Sequence, residues 1–338
     1  MSKYSIKLVD NHSKWDLFVD HSPQGTPFST SSYLSAANAY WKTYWIRKGN
    51  QIKAGLCLTL DEREGGPIID ELVIYNGIMF AIEHEHKLTK ARAERFEITE
   101  FIINWIDANF DNIEMSLSPT FEDLRPFLWH NYHSINNDNK FKHELLYTSI
   151  LDISEMFLRK PDSQSKLFAQ IDSKRQTDIR RAVENNLSIS NNISSEQFIL
   201  MYELTMRTQG VIPNREMLVR MKSLINELCK INAAVMACVR NRNREITYAV
   251  VFLHRNNAAY YLFGAGNPEL QDRYDGTYCL WEMFKQLSSL GINSIDMEGV
   301  NSPKRGAFKL GFGGSLQPYF HIRKNNYENL VANDFVNK

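Results

Sequence analysis

The sequence lacks the motifs of several common enzyme classes, and each absence narrows its chemistry. It has only four cysteines in 338 residues (Cys57, Cys229, Cys238, Cys279), with no CxxC or zinc-knuckle spacing. That pattern fits reduced thiols rather than a disulfide framework or a structural zinc site. HExxH is missing. Glu83-His84-Glu85-His86 and His130-Asn131-Tyr132-His133 come nearest, but neither has ligand spacing, so no metal is expected. GxSxG is missing and no cysteine has an evident histidine partner, so no covalent nucleophile is visible. Gly264-Ala265-Gly266 lacks the third glycine of a dinucleotide fingerprint. No apolar run approaches the roughly 20 residues a membrane span needs. The uncharged stretch 22–41 is rich in Ser, Thr, Gln and Asn. Residues 1–10 read as a charged strand and not as a secretory leader. The expectation is a cytoplasmic chain without a membrane span, monomeric or homodimeric. An excess of one charge is missing too. With 39 basic and 39 acidic residues, DNA is not an expected partner.

What is present is ordinary globular material: 43% hydrophobic and 23% charged residues, enough for a packed core. The length suggests two domains. The neutral total hides an asymmetry. Residues 61–125 hold fifteen acids against six bases, whereas 159–181 hold seven bases against three acids. Residues 301–324 carry Lys304, Arg305, Lys309, Arg323 and Lys324 and no acid. Positive potential therefore belongs to the second half, where a concave site would favour an anionic ligand. Two solvated basic faces are the plainer alternative.

Hydrophobic periodicity sets the expected elements. In the second half, 145–153 alternates as a strand, and a helix capped by Ser163 or Ser165 runs to about Asn185. Its expected apolar stripe is Phe168, Ile171, Ile179, Ala182 and Val183. Helices over 195–209 and after Pro213 follow. Strands over 233–239, 246–254 and 258–264 have links short enough for an antiparallel meander. A helix over 276–290 ends at Gly291, then come a strand over 292–297, a short helix over 304–311 and a strand over 316–322. The first half repeats this order more faintly. Its meander is 43–48, 51–60 and 72–81, followed by a helix over 88–110, a strand over 112–117 and a helical piece over 121–129.

One short echo supports duplication: Asn112-Ile113-Glu114-Met115 precedes Pro119 as Ser294-Ile295-Asp296-Met297 precedes Pro303. The expected architecture is α/β (α+β): two tandem units, each a mixed, mostly antiparallel twisted sheet flanked by helices. The expected domains are 1–150 and 151–338, the more basic second one carrying the candidate site.

Three segments carry a family resemblance. Gly291-Ile292-Asn293-Ser294-Ile295-Asp296-Met297-Glu298-Gly299, followed by Gly306-Ala307-Phe308-Lys309-Leu310-Gly311-Phe312-Gly313-Gly314, resembles the closing segment of the Fem-type transferases. These are relatives of the N-acetyltransferase superfamily with two such domains in tandem. Lys174-Arg175-Gln176-Thr177-Asp178-Ile179-Arg180-Arg181-Ala182 resembles their Arg-rich first helix of the second domain, and Thr148–Ile153 the strand before it. The resemblance covers about 145–322; over 1–144 it rests on element order. It implies acyl or aminoacyl transfer to an amine. One branch uses aminoacyl-tRNA to extend peptidoglycan cross-bridges, and other members are acyl-CoA-dependent enzymes of surface-glycan assembly. No segment here has the length or heptads of the helical-hairpin arm found in some tRNA-dependent members.

Arg175 falls on the apolar stripe of its helix and must be paired, either by a ligand anion or by an acid of the second half. Arg273-Tyr274-Asp275-Gly276-Thr277-Tyr278 stands where the superfamily keeps its pyrophosphate loop. Helix N–H groups would face phosphates there. Arg273 and Gly276 fit that pattern, whereas Tyr278 departs from it. The preceding strand, with Tyr261, Phe263 and Gly264, is where such proteins hold the pantetheine arm. Asp296 and Glu298 would share one face of a strand, and either could deprotonate an amine. Lys309 resembles the lysine of the family's Phe-Lys pair, placed to steady an oxyanion, with Phe308 walling the site. Arg207, Arg215 and Tyr319 are further substrate candidates by their place in the family.

The expected activity is acyl-CoA-dependent N-acylation of a nucleotide-linked amino sugar for surface polysaccharide. Acyl-CoA would serve as cosubstrate, with no tightly bound cofactor. The alternatives are aminoacyl transfer from tRNA to a peptidoglycan precursor, and a non-catalytic binding or scaffold module.

Overall fold

The computed structural model describes residues 3–63, 65–82, 87–158 and 162–325. The chain forms two compact units. Unit 1 runs to Leu146 and takes in the stretch beginning at Pro318; unit 2 is Tyr147–Gln317.

Unit 1 begins with β1 (Ser5–Leu8), α1 (His12–His21), α2 (Ser31–Ala36), β2 (Trp41–Lys48), β3 (Gln51–Thr59) and β4 (Gly77–Phe80). Strands β1 to β4 form an antiparallel sheet in chain order. Then come α3 (Leu88–Asn109), β5 (Asn112–Ser116) and α4 (Arg125–Trp129). A parallel bridge, Asn76 to Leu117, joins the start of β4 to the end of β5. The core packs Ile98, Ile102, Ile103 and Ile106 of α3 against Leu56, Leu58, Ile78 and Phe80 of the sheet. Burying each such side chain is worth about 1.5–3 kcal/mol.

Strand β6 (Lys142–Asp152) leads into unit 2, which continues with α5 (Lys166–Gln170), α6 (Ser173–Glu184), β7 (Ile189–Ser190), α7 (Ser195–Thr208) and α8 (Arg215–Lys230). After these come β8 (Ala234–Arg240), β9 (Ile246–Arg255), β10 (Ala258–Gly266), α9 (Asp275–Ser289), β11 (Ser294–Asp296) and α10 (Pro303–Leu310). The sheet order is β6-β11-β10-β9-β8-β7. All pairs are antiparallel except β10 with β11. Trp281, Met283, Phe284 and Leu287 fix α9 over Ala237, Val250 and Phe252. The last strand, β12 (Ser315–Asn325), pairs with β5 of unit 1 from His321 onward.

Both units are thus mixed, mostly antiparallel sheets flanked by helices, as the sequence led one to expect. Several elements differ in detail. The single helix expected up to Asn185 is two, α5 and α6. Asp172 stands at the break in extended backbone, and its carboxylate accepts the Arg175 N–H at 2.7 Å. An N-cap of that quality starts a new helix more readily than it continues an old one. Val183 is exposed, not on the apolar stripe. The strand expected over 72–81 shrinks to β4, because the chain reaches it through Gly77 in the left-handed region (φ +91°). The helical piece over 121–129 contracts to α4, with Pro126 in its first turn.

Among the described residues no helix is long and apolar enough to cross a membrane, and no cluster of His, Cys, Asp and Glu could hold a metal. His130 donates to or accepts from Asp107 at 2.9 Å instead. Glu83-His84-Glu85-His86 lies outside the described residues. All four cysteines are free thiols. Burial pushes the Cys57 thiol up to about 12 and raises the Cys279 thiol well above its ordinary value.

Candidate active site

The parallel pair at the centre of unit 2 is short. β10 meets β11 only over Ala258–Tyr260 against Ser294–Asp296, while β10 runs on beside β9 to Gly266. Beyond Tyr260 and Asp296 the two strands part. The chain leaving β11 turns sharply at Glu298, a non-glycine residue held in the left-handed region (φ +54°). Such a conformation costs about 1 kcal/mol or more and needs local support. Asp296 supplies it: its carboxylate accepts the Glu298 N–H at 2.7 Å and the hydroxyl of Thr148 on β6. Asp296 and Glu298 therefore come together through a turn, not through the strand alternation expected from sequence.

Both carboxylates are buried, 7% and 6% exposed. Oε1 of Glu298 has no hydrogen-bond partner. Burial raises the Glu298 carboxyl well above its ordinary value, helped by the nearby Asp296 and opposed by Lys309. Lys309 reaches in from α10, donates to the Gly299 carbonyl at 3.2 Å and lies 5.3 Å from the Tyr261 ring centre. Burial lowers its ammonium, against the pull of Glu298 and Asp296. Tyr260, on β10 at the fork, has its hydroxyl raised by burial and then by the same two carboxylates. Thus Asp296, Glu298, Lys309 and Tyr261 gather at the fork, and Thr148 and Tyr260 join them. No sequence pattern singled out the last two; only the register of β6 and β10 against β11 brings them in.

The position of α10 depends on one close approach. A side chain on Gly306 would put its Cβ 2.2 Å from the backbone oxygen of Val300, so only glycine lets this helix sit against the turn that carries Glu298. Phe308, on the same helix, faces Arg175, whose guanidinium carbon is 4.4 Å from the ring centre.

The start of α9 is furnished differently. Arg175 is 7% exposed and donates to Thr277 Oγ1 at 3.2 Å, with the buried Asp178 at 3.6 Å. Arg273, largely exposed, approaches the same Asp178 at 3.8 Å. The acid partner of Arg175 thus sits three residues along its own helix, a spacing visible in the sequence. Asp275, 3% exposed, accepts the Asp272 N–H at 3.0 Å, and burial raises its carboxyl. The space beside the glycines is occupied by tyrosines. A Cβ on Gly276 would lie 2.9 Å from the Tyr248 ring, and one on Gly264 would lie 1.9 Å from the Tyr261 hydroxyl. Tyr278 is buried and donates to the Leu187 carbonyl at 2.8 Å.

The remaining sequence candidates have other surroundings. Phe263 packs against Phe198 and Tyr202 of α7. Arg207 is exposed and pairs with Glu203 one helical turn away. Arg215 is exposed at the start of α8. Tyr319 belongs to unit 1, edge-on to Tyr75 at 5.4 Å.

No family model matches the sequence, and no curated protein matches it. Solved structures do. The chain is similar to the crystal structure of FemX with a TM-score of 0.64 at 12% identity, over 94% of this chain and 96% of that one. It is similar to a tandem GNAT protein from the clavulanic acid biosynthesis pathway with a TM-score of 0.51 at 11% identity, over 96% and 100%. L-PGS from Bacillus licheniformis gives 0.51 at 10% identity, over 94% and 93%. At such identities the likeness establishes the fold: two acetyltransferase-like units in tandem.

Proposed function

We propose that this tandem acetyltransferase fold transfers an aminoacyl group from a tRNA ester to an amine of a peptidoglycan precursor, at the β10–β11 fork of unit 2. Transfer to an amine requires that the ammonium lose a proton and that the tetrahedral oxyanion be stabilised. Glu298 suits the first task. A carboxylate with a raised pKa is a stronger base, and Oε1 has a free lone pair. Lys309, which reaches the same fork from α10 and donates to the Gly299 carbonyl, suits the second. Asp296 and Thr148 act as positioning residues, since they hold the turn that aims Glu298.

The observation that carries the choice of donor is the start of α9. A coenzyme pyrophosphate would need open N–H groups and glycine space there. Asp275 opens the first turn and Asp272 lies three residues before it, Asp178 lies beneath, and Tyr248 fills the space beside Gly276. Carboxylates repel a polyphosphate. The site's own helix, α10, instead carries Lys304, Arg305 and Lys309 without an acid, the charge pattern a polyanionic donor favours. The similarity to FemX supports the same reading.

The acyl-CoA reading, with a nucleotide-linked amino sugar as acceptor, keeps one observation in its favour. Arg273 stands exposed at the superfamily's pyrophosphate position, and a tandem GNAT protein is among the similar structures. Labelled donor separates the two. The purified chain is given aminoacyl-tRNA or acyl-CoA with muramyl-peptide and amino-sugar acceptors. Transfer from tRNA that is lost in Lys309→Met supports the proposal; transfer from acyl-CoA alone overturns it.

A further inference from the structure

Unit 1 has a cavity of about 370 Å³ where the end of β4, the first turns of α3 and the segment after β5 meet. That volume is in the range of small-molecule sites. In element order it is the unit 1 counterpart of the β10–α9–β11 fork. The start of α9 sets Arg175 and Arg273 on the one buried Asp178, whereas this cavity gathers Arg92, Arg95 and Arg125 beside Glu122 and Asp123.

The three arginines are not equally engaged. Arg125 is held by Asp123 through two bonds, Nε to Oδ1 at 2.8 Å and Nη2 to Oδ2 at 2.6 Å. That pair draws the Asp123 carboxyl below its usual range, with a smaller contribution from Arg92. Arg95 has no such partner. It lies over the Phe80 ring at 5.5 Å, and its Nε is buried without a hydrogen-bond acceptor. A guanidinium stacked on an aromatic ring keeps its N–H edge free for planar or tetrahedral oxyanions. A buried donor left unmatched is a cost that a ligand acceptor would remove. Behind it, Phe80 and Phe121 stack with ring centres 5.9 Å apart and give the cavity an apolar floor. The wall is rigid: the Gln24 carboxamide accepts the Phe80 N–H at 3.0 Å and donates to the Thr120 carbonyl at 3.3 Å. One exposed acid, Glu122, also lines the opening.

We propose that this cavity binds a phosphate-bearing small molecule, with Arg95 and Arg92 on the phosphate and the Phe80–Phe121 floor under the organic part. The site is separate from the fork in unit 2 and does not depend on which donor that fork takes.

The test is calorimetric titration of the full chain with inorganic pyrophosphate, and in a second arm with succinate, which offers carboxylates of similar span. Binding of pyrophosphate, weakened about tenfold or more in Arg95→Gln and in Arg92→Gln but unchanged in Arg273→Ala, is the expected result. Arg92 is exposed, so its variant reads the site even if Arg95→Gln perturbs folding. No pyrophosphate binding, wild-type binding by both arginine variants, or stronger binding of succinate would overturn the proposal. Loss of binding in Arg273→Ala instead would overturn it as well and place the phosphate at α9.

Discussion

Replacing Glu298 with glutamine keeps the shape of the side chain and removes its titration. In the folded protein this carboxyl holds its proton to a higher pH than the ordinary 4.5, chiefly because it is buried. A group with a raised folded pKa leaves stability untouched below its unfolded value. It then lowers stability as pH climbs from there to the folded value. Each unit of that gap is worth about 1.4 kcal/mol. For a unit the size of Tyr147–Gln317, 1 kcal/mol moves the melting temperature by about 2–4 °C. Glu298→Gln should therefore melt with the wild type at pH 4 and above it at pH 8, the difference growing with pH. The same variant should lose about 10²- to 10⁴-fold in transfer rate, the usual contribution of a general base. The assay is thermal unfolding across pH 4–9 beside initial rates at one pH. A melting difference that does not grow with pH, or a variant of wild-type rate, would refute the role of this carboxyl.

Three further changes probe the surroundings. Lys309→Met should reduce the transfer rate about 10²- to 10³-fold and shift the pH at which Glu298 loses its proton upward, because the opposing charge is gone; initial rates across pH read both. Arg175→Met strands the buried Asp178 and should cost about 3–5 kcal/mol in denaturant unfolding, largely recovered in the double variant Arg175→Met/Asp178→Asn. Gly306→Ala forces a Cβ against the Val300 backbone. It should destabilise unit 2 by about 1–3 kcal/mol and lower transfer by displacing Lys309, as seen in melting and rate assays.

The sequence carried the meander of unit 2 almost to the residue, because β8, β9 and β10 are apolar runs bounded by short polar links. It carried α9 for the same reason: Leu280, Trp281, Phe284 and Leu287 recur at helical spacing. It misjudged α5 and α6, where the apolar stripe continues across a break made by one side-chain cap at Asp172. It also placed Asp296 and Glu298 on one strand. The left-handed turn at Glu298 has no sequence signature, since glycine or asparagine would normally mark it. Lys309 and its neighbours were legible only through family resemblance, whereas Thr148, Tyr248 and Tyr260 enter by strand register, which a linear pattern does not encode. The rings that fill the glycine space at α9 are of that kind, and the proposal of a tRNA donor rests on them.

The measurement that bears most directly on this account is the initial rate of donor consumption by the wild type, with aminoacyl-tRNA and acetyl-CoA offered separately beside a muramyl-peptide acceptor. The account predicts turnover of the tRNA ester, falling steeply with added salt and reduced about 100-fold or more in Glu298→Gln and in Lys309→Met. Turnover of acetyl-CoA alone, or tRNA turnover that survives both substitutions, would contradict it.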